Sequence, residues 1–373
     1  MTKYTQKSHR MLPRICRKIC AAGMILVTLL SFSGCSAKPQ GLNKYSYDCW
    51  GSFDTVITIM GYCENQKEFD RRAGLAEARF LELHKLYDKY NDYPGINNVR
   101  TINSEAGISP VKVEPELYSL IKAGLDWQAA APPAVNIAMG PVLEVWHDYR
   151  AAAALDPDHA AIPSMEELTE ASRLTDSSRI ILDQTEQTVF LADSGMQLDV
   201  GAIAKGYAAE LVAQELKEAG WDSFIISSGG NIRAGGKPED GVRDTWSIGI
   251  ANITPVEEGE TADIIETVYL TDQSVVTSGD YQRYYMVDGI RYHHIIDPAT
   301  LMPAHYFRSV TVITSDSGYA DFLSTAFFIL PYEKGADFAG TLENVEVMWV
   351  FSDGSIKTTS GMRQYIKNEE AQK

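Results

Sequence analysis

Between residues 67 and 90, Phe69, Ala73, Ala76, Phe80, Leu83 and Tyr87 recur at spacings of three and four, which predicts an amphipathic helix. An Asn/Asp/Pro/Gly cluster at 91–98 ends it. The same reasoning predicts helices over Glu116 to Ala130, closed by Pro132-Pro133, and from Pro141 to about Arg150. Two more are expected over Ala202 to Ala219, with Gly220 as the stop, and over Ser317 to Ile329, ended by Pro331. Trp50 to Ile59 reads as one β-strand entered through Gly51. Apolar runs at 223–227, 246–251, 264–270, 283–287, 291–296, 308–314 and 345–351 predict further strands. This mixed order, rich in late strands and without a repeat period, implies an α+β fold rather than a doubly wound parallel sheet.

The leader changes the picture of where the chain works. Six of the 33 Lys and Arg residues lie before residue 35, where no acidic residue occurs, and the apolar run Ala21 to Phe32 follows them. A basic start, a short apolar run and the small residues Ser33-Gly34 before Cys35 make a secretory signal. The run is too short to span a bilayer comfortably. Small residues before a Cys resemble a bacterial lipobox, although Phe32 stands where Leu is usual. Cys35 is therefore expected to be the lipidated first residue of the mature chain; a plain cleaved signal or an uncleaved anchor are the alternatives. The expected organisation is a signal over 1–35, a tether over 36–47, one folded domain over 48–362 and a tail over 363–373.

Beyond the leader, 27 basic residues face 50 acidic ones. So acidic a body excludes non-specific nucleic-acid binding and a polybasic membrane patch. An anionic ligand would have to be met locally by a metal, a Lys or backbone amides. Outside the leader only Cys49 and Cys63 remain, which leaves one disulfide open and gives no Cys-x-x-Cys zinc signal.

Four segments carry candidate chemistry. Ser227-Ser228-Gly229-Gly230-Asn231 follows an apolar strand, yet Gly236 occupies the Lys position of a Walker loop, so a tight structural turn is the better reading. Leu198 to Tyr207 runs from an acidic strand end into a helix start, where free amides and Lys205 suit an anion, while Asp199 is either a cap or a site residue. Asp321 and Thr325 stand four apart, so on a helix their oxygens share a face; hard oxygen ligands in small number suit Mg²⁺ on nucleotide substrates. An exposed Asp and a back-bonded Thr are the plainer alternative. His293-His294 sits in a predicted strand, so only one ring reaches a given side.

Taken together, GSFDT at 51, NIAMGP at 136, LDVGAIAKGYA at 198, SSGGNI at 227, VVTSGDYQRYY at 275, HIIDPAT at 294, SVTVIT at 309 and ADFLSTAFFIL at 320 resemble the ordered motifs of the ApbE family. The resemblance covers roughly residues 45–360. Its members are FAD:protein FMN transferases, often lipoproteins, and the resemblance implies antiparallel sheets with flanking helices and FAD in a cleft between subregions. It implies Mg²⁺-dependent transfer of FMN from FAD to a Thr or Ser hydroxyl, with release of AMP. Asp321, Thr325 and the Ala202 carbonyl match the metal ligands. FAD contacts fall on Trp50, Tyr90, Ala134-Val135-Asn136, Asp199, Lys205 and Ile296, and His294 resembles the base that takes the acceptor proton. Acceptors in the family include flavoproteins with a small FMN-binding domain and subunits of membrane redox complexes.

The chain departs from the family pattern at three places. Asn136-Ile137-Ala138 stands where many members carry Asp-Pro-Thr, Pro132-Pro133 where they carry Asp-Gly, and Leu301 where Gly is usual. Two other activities share the implied site: an FAD pyrophosphatase, with water as acceptor, and a non-enzymatic FAD-binding lipoprotein. Loss of Asp321 or Thr325 would mark the last, and both are present.

Overall fold

The computed structural model describes residues 41–252 and 264–366. The signal, Cys35, residues 36–40 of the tether and the end of the tail lie outside the described residues. The described part opens with strands β1 (Asn43–Ser52) and β2 (Thr55–Cys63), followed by helices α1 (Gln66–Tyr87) and α2 (Val99–Ser104). Strand β3 (Val111–Lys112) leads to helices α3 (Pro115–Ala130), α4 (Gly140–Leu155) and α5 (Met165–Ser172). A hairpin of β4 (Ile180–Asp183) and β5 (Thr188–Leu191) precedes α6 (Ala204–Glu218). Strands then dominate: β6 (Ser223–Ser228), β7 (Asn231–Gly236), β8 (Trp246–Ala251), β9 (Ile264–Leu270), β10 (Ser274–Gly279), β11 (Tyr284–Val287), β12 (Ile290–His293) and β13 (Phe307–Thr314). The chain ends on α7 (Ser317–Ile329), α8 (Tyr332–Ala339), β14 (Glu346–Phe351) and β15 (Ile356–Thr358).

Eight strands form one antiparallel sheet in the order β1-β2-β6-β7-β10-β13-β14-β15. Neighbouring strands run in opposite directions throughout, so the fold is α+β. Helices α1, α6 and α7 cover one face, burying Phe69, Phe80, Phe224, Ile226, Phe322 and Phe327. On the other face the β8–β9 hairpin lays Trp246, Ile248, Ile250 and Val268 against Ile232, Val275, Ile313 and Met348. A third, smaller core joins α4 to the β11–β12 hairpin through Val142, Trp146, Tyr285 and Ile296.

Several expectations shift. Trp50 to Ile59 is not one strand: Phe53 and Asp54 both take positive φ, 54° and 51°, and turn the chain into a hairpin. The apolar alternation continues on both sides of that turn, which is why periodicity hides it. Residues 43–47, expected as tether, form the first half of β1. Tyr365 and Ile366, expected as tail, bond to Tyr269 and Val268 and belong to the second core. Cys49 lies opposite Ile57 and Cys63 opposite Asn43, so the two buried thiols sit six rungs apart, about 20 Å in a strand, and are free. At Leu301 the usual Gly conformation is kept despite the side chain, with φ 62°, and the Leu301 carbonyl accepts from the Trp146 indole at 2.9 Å.

Gly206 fixes how α6 meets α7. A Cβ there would stand 2.2 Å from the Ser317 carbonyl oxygen and 2.6 Å from Asp321 Cβ, so only glycine lets the helices approach this closely. A buried ion pair locks the contact: Arg233 Nε donates to Glu210 Oε2 at 2.8 Å, and the same oxygen accepts the Ser317 amide at 2.9 Å.

Candidate functional site

The close approach of α6 and α7 brings three oxygen-bearing groups into play. Asp321 is 4% exposed, and its Oδ2 accepts the Gly206 amide at 2.9 Å. In an unbroken helix that amide would bond the carbonyl four residues back, Ala202. Ala202 precedes the first residue of α6, and among the described residues its carbonyl accepts no hydrogen bond. Lys205 Nζ stands 3.7 Å from Asp321 Oδ2. Burial raises the Asp321 carboxyl above its usual range against the pull of Lys205 and the Gly206 amide. From Ala320 to Ile329 every α7 residue except Thr325 is buried, so the Thr325 hydroxyl, four residues from Asp321, opens toward the surface. Ser278 Oγ approaches it at 3.5 Å while bonding Ser324 Oγ at 2.8 Å.

No three His, Cys, Asp or Glu residues gather among the described residues. A cation held here would draw on one carboxylate, a hydroxyl and a main-chain carbonyl, leaving its other positions to water and substrate phosphate. That donor set fits Mg²⁺, which keeps several waters and takes few protein oxygens. The orphaned Ala202 carbonyl and the desolvated Asp321 carboxylate are what such an ion would satisfy.

A second cluster lies around Asp199. Its Oδ2 meets Lys89 Nζ at 2.7 Å, its Oδ1 accepts the Gly201 amide at 2.9 Å, and its own amide bonds the Ile137 carbonyl at 2.8 Å. Burial would raise this carboxyl; Lys89 outweighs it and holds the group below its usual range. Asp199 is thus a bridge between segments, not a cap of α6, whose first residue lies five positions on. Lys89 Nζ sits 5.1 Å over the Tyr90 ring, which faces the His147 ring at 5.6 Å. Arg150 Nη2 lies 2.9 Å from His147 Nδ1. A guanidinium can only donate, so His147 accepts there as a neutral ring.

The two adjacent histidines divide as alternation requires. His293 is buried at the end of β12, with Nε2 2.6 Å from the Ala304 carbonyl and Nδ1 accepting the Ile295 amide at 3.2 Å. Both nitrogens are satisfied, so its role is to hold the fold. His294 lies one residue beyond the strand, and its buried Nδ1 has no partner. Burial, then Arg283, His293, Arg150 and Lys205, push its pKa well below the ordinary imidazole value. A neutral ring with an unpartnered nitrogen can accept a proton.

Residues 53–349 match the ApbE family. The chain belongs to that family. It is 35% identical over 361 residues to the FAD:protein FMN transferase of Treponema pallidum, with 92% of this chain and 94% of the relative covered. The FAD:protein FMN transferase of Klebsiella pneumoniae is 32% identical over 77% of this chain and 86% of its own. Among solved structures, the ApbE protein of Thermotoga maritima superposes with a TM-score of 0.74 at 28% identity, over 87% of this chain and all of that one. The Pseudomonas stutzeri flavinyl transferase ApbE in its apo form superposes at 0.71 and 26% identity, over 87% and 98%.

Other ApbE-motif positions are distributed as follows. Tyr90 and Trp50 present large exposed rings, 52% and 65% accessible, and the turn after Trp50 packs on the end of α1, from which Lys89 and Tyr90 follow. No contact joins Trp50 itself to the Asp199 cluster among the described residues. Ala134 and Val135 are buried, and the Asn136 side chain is used internally, donating to the Thr175 carbonyl and accepting the Ala138 amide, both at 2.8 Å. The amide that replaces the common Asp therefore shapes this loop. Ile296 is 5% exposed, with its side chain packed in the third core. Ser228 to Asn231 is the β6–β7 turn, with Gly229 and Gly230 at φ 57° and 105°, as the structural reading expects. Asn231 nevertheless faces Asp321 and lowers its pKa, while its Nδ2 makes no full hydrogen bond. Lys89, His147 and Arg150 carry no motif signal, and nothing in the motif at 275 singles out Arg283 within it; the tertiary structure brings them to the Asp199 cluster.

Proposed function

We propose that this chain transfers FMN from FAD to a Thr or Ser hydroxyl of an acceptor protein, forming a phosphoester and releasing AMP. What carries the reading is the surrender of the Gly206 amide to Asp321, which frees the Ala202 carbonyl beside a buried carboxylate on the helix that bears Thr325. These three groups would hold Mg²⁺, which would offset the negative charge of the pyrophosphate oxygens while the bond between the FMN-side phosphorus and the bridging oxygen breaks and that oxygen leaves with AMP. Lys205 adds a cation near the start of α6, and Asp199 with Lys89 braces the loop that leads into that helix. His294 accepts the proton of the acceptor hydroxyl as its oxygen attacks the phosphorus on the FMN side and AMP leaves. The exposed Tyr90 and Trp50 rings offer aromatic surface to the dinucleotide.

The leader supports a place outside the cytoplasmic membrane, tethered through a lipid on Cys35, with acceptors such as flavoproteins bearing an FMN-binding domain or subunits of membrane redox complexes. Among the described residues no helix is long and apolar enough to cross a membrane. Mass spectrometry of the mature N-terminus should find an acylated Cys35; an unmodified start at Ser36 or later overturns the anchor.

The activity is tested by incubating the soluble domain with FAD and Mg²⁺, with and without an acceptor fragment. AMP in equal amount to flavinylated acceptor supports the transfer. AMP released at the same rate without acceptor would assign a pyrophosphatase, and FAD binding without AMP a carrier.

A further inference from the structure

Two guanidinium groups of this site are unspoken for. Arg150 and Arg283 have no carboxylate within ion-pair distance among the described residues, in a chain where acidic residues outnumber basic ones by 17. The one carboxylate whose field reaches both, Asp199, is already paired with Lys89 at 2.7 Å, and the other charged groups around them are cationic. Lys89 is taken by Asp199, Lys205 stands toward Asp321, and Arg150 is braced from one side by His147, whose ring packs against Tyr90. Arg283 is placed by strand register. Tyr284 pairs with His293 at the end of the antiparallel β11–β12 ladder, so Arg283 and His294 are the next residues outward at that end of the hairpin, and the Arg283 charge acts on the His294 ring. Helix α4, which bears Arg150, packs on β11, which Arg283 precedes, with Trp146 and Tyr285 in their shared core, and the two guanidinium groups are close enough to repel.

Like charges are not gathered beside each other in an acidic protein without a partner that separates them, since their repulsion has to be offset. A planar guanidinium also matches phosphate oxygens two at a time, which an ammonium group does not. We propose that Arg150 and Arg283 form an anion seat for the phosphate groups of the flavin dinucleotide, a specificity element separate from the Asp321 and Thr325 metal side. This rests on the flavin transfer proposed above. The seat selects for the phosphorylated substrate and holds it with its pyrophosphate against His294; the metal side and Lys205 meet the same group from α6 and α7.

Titration calorimetry tests the seat on the soluble domain without Mg²⁺, using FAD, riboflavin and inorganic pyrophosphate as probes. Arg150→Gln and Arg283→Gln should each weaken FAD and pyrophosphate by about tenfold, the value of one charge-assisted contact. Riboflavin, which has the ring but no phosphate, should bind both variants as it binds the unaltered chain. Arg150→Lys and Arg283→Lys should restore part of the affinity and steepen its salt dependence. Equal weakening of riboflavin and FAD would show that the arginines only shape the ring's wall, and would overturn the seat. So would unchanged FAD affinity with a raised KM for the acceptor alone. Should the unaltered chain bind pyrophosphate through these arginines but not FAD, the seat stands and the flavin reading falls. FAD binding that ignores both substitutions gives the reverse. Melting temperatures within a few degrees of the unaltered chain confirm that the variants are folded.

Discussion

Asp321 Oδ2 accepts the Gly206 amide at 2.9 Å, across a helix contact so close that Gly206 has no room for a Cβ. The carboxylate thus takes a donor that belongs to the start of its neighbour helix, and it does so in a buried place where burial raises its pKa. A raised carboxyl contributes stability only at low pH and loses it as pH rises, so at neutral pH an ionised Asp321 is a burden unless a cation joins it. Asp321→Asn should melt at the same temperature as the unaltered chain or higher in the absence of divalent cations. It should also lose the rise in melting temperature that Mg²⁺ gives the unaltered chain, together with AMP release. A large drop in the metal-free melting temperature would show the carboxylate to be structural.

Neighbouring histidines should fail in different ways. His294→Ala should bind FAD normally and transfer FMN slower by a factor of about 10² to 10⁴, the contribution of a positioned base. His293→Ala leaves the Ala304 carbonyl and the Ile295 amide without partners, at a cost of about 1–3 kcal/mol for each buried group. Denaturant unfolding should therefore detect His293→Ala, and single-turnover transfer should detect His294→Ala.

The pH dependence follows from the same ring. His294 is held well below the ordinary value of 6.5, by burial first and by Arg283 next. Neutral His294 is the competent base, so kcat/KM should persist as pH falls through 6.5 and decline only further into acid. Arg283→Gln removes a repelling charge and should move that decline to higher pH. Both rings have depressed pKa values, so the stability they contribute is complete above 6.5 and lost as pH falls through their folded values. A decline centred at or above 6.5 in the unaltered chain would separate His294 from the base role.

Glu210 tests the frame behind the site. It pairs with Arg233 at 2.8 Å and accepts the Ser317 amide at 2.9 Å, and both side chains of the pair are almost fully buried. Removing Glu210 leaves the buried Arg233 only the half-exposed Asp272, 3.2 Å away, and leaves the Ser317 amide unpaired, so Glu210→Ala should destabilise by about 3 kcal/mol in urea unfolding, the low end for a broken buried pair. A loss under about 1 kcal/mol would show that water enters this contact.

Much of the fold was legible along the chain. Helices α1, α3, α6 and α7 follow from apolar spacing and their Gly or Pro stops, and the α+β class follows from the order of elements. Strands β7 and β10 were not readable, because runs such as Asn231–Gly236 are rich in Gly and small or polar residues and owe their form to neighbours in the sheet, while β4 and β5 span four residues each, too few for a period to show. The Phe53-Asp54 turn escaped for a different reason, since the alternation survives a two-residue reversal.

The sequence by itself determined the chemical inventory: a basic and then apolar stretch before Cys35, an acidic body, and ordered motifs containing Asp199, Lys205, His294, Asp321 and Thr325. Local spacing also determined that Asp321 and Thr325 share a helix face and that His293 and His294 point apart. Only the tertiary structure decided that Gly206 lets α7 reach the start of α6, that Asn136 is spent on its own loop, and that Arg150 and Arg283 stand together near His294. The first and last of those relations join residues more than a hundred positions apart, and no periodicity carries such information. They arise when antiparallel strands and their covering helices bury the apolar faces, and the polar groups left at the edges must find partners there.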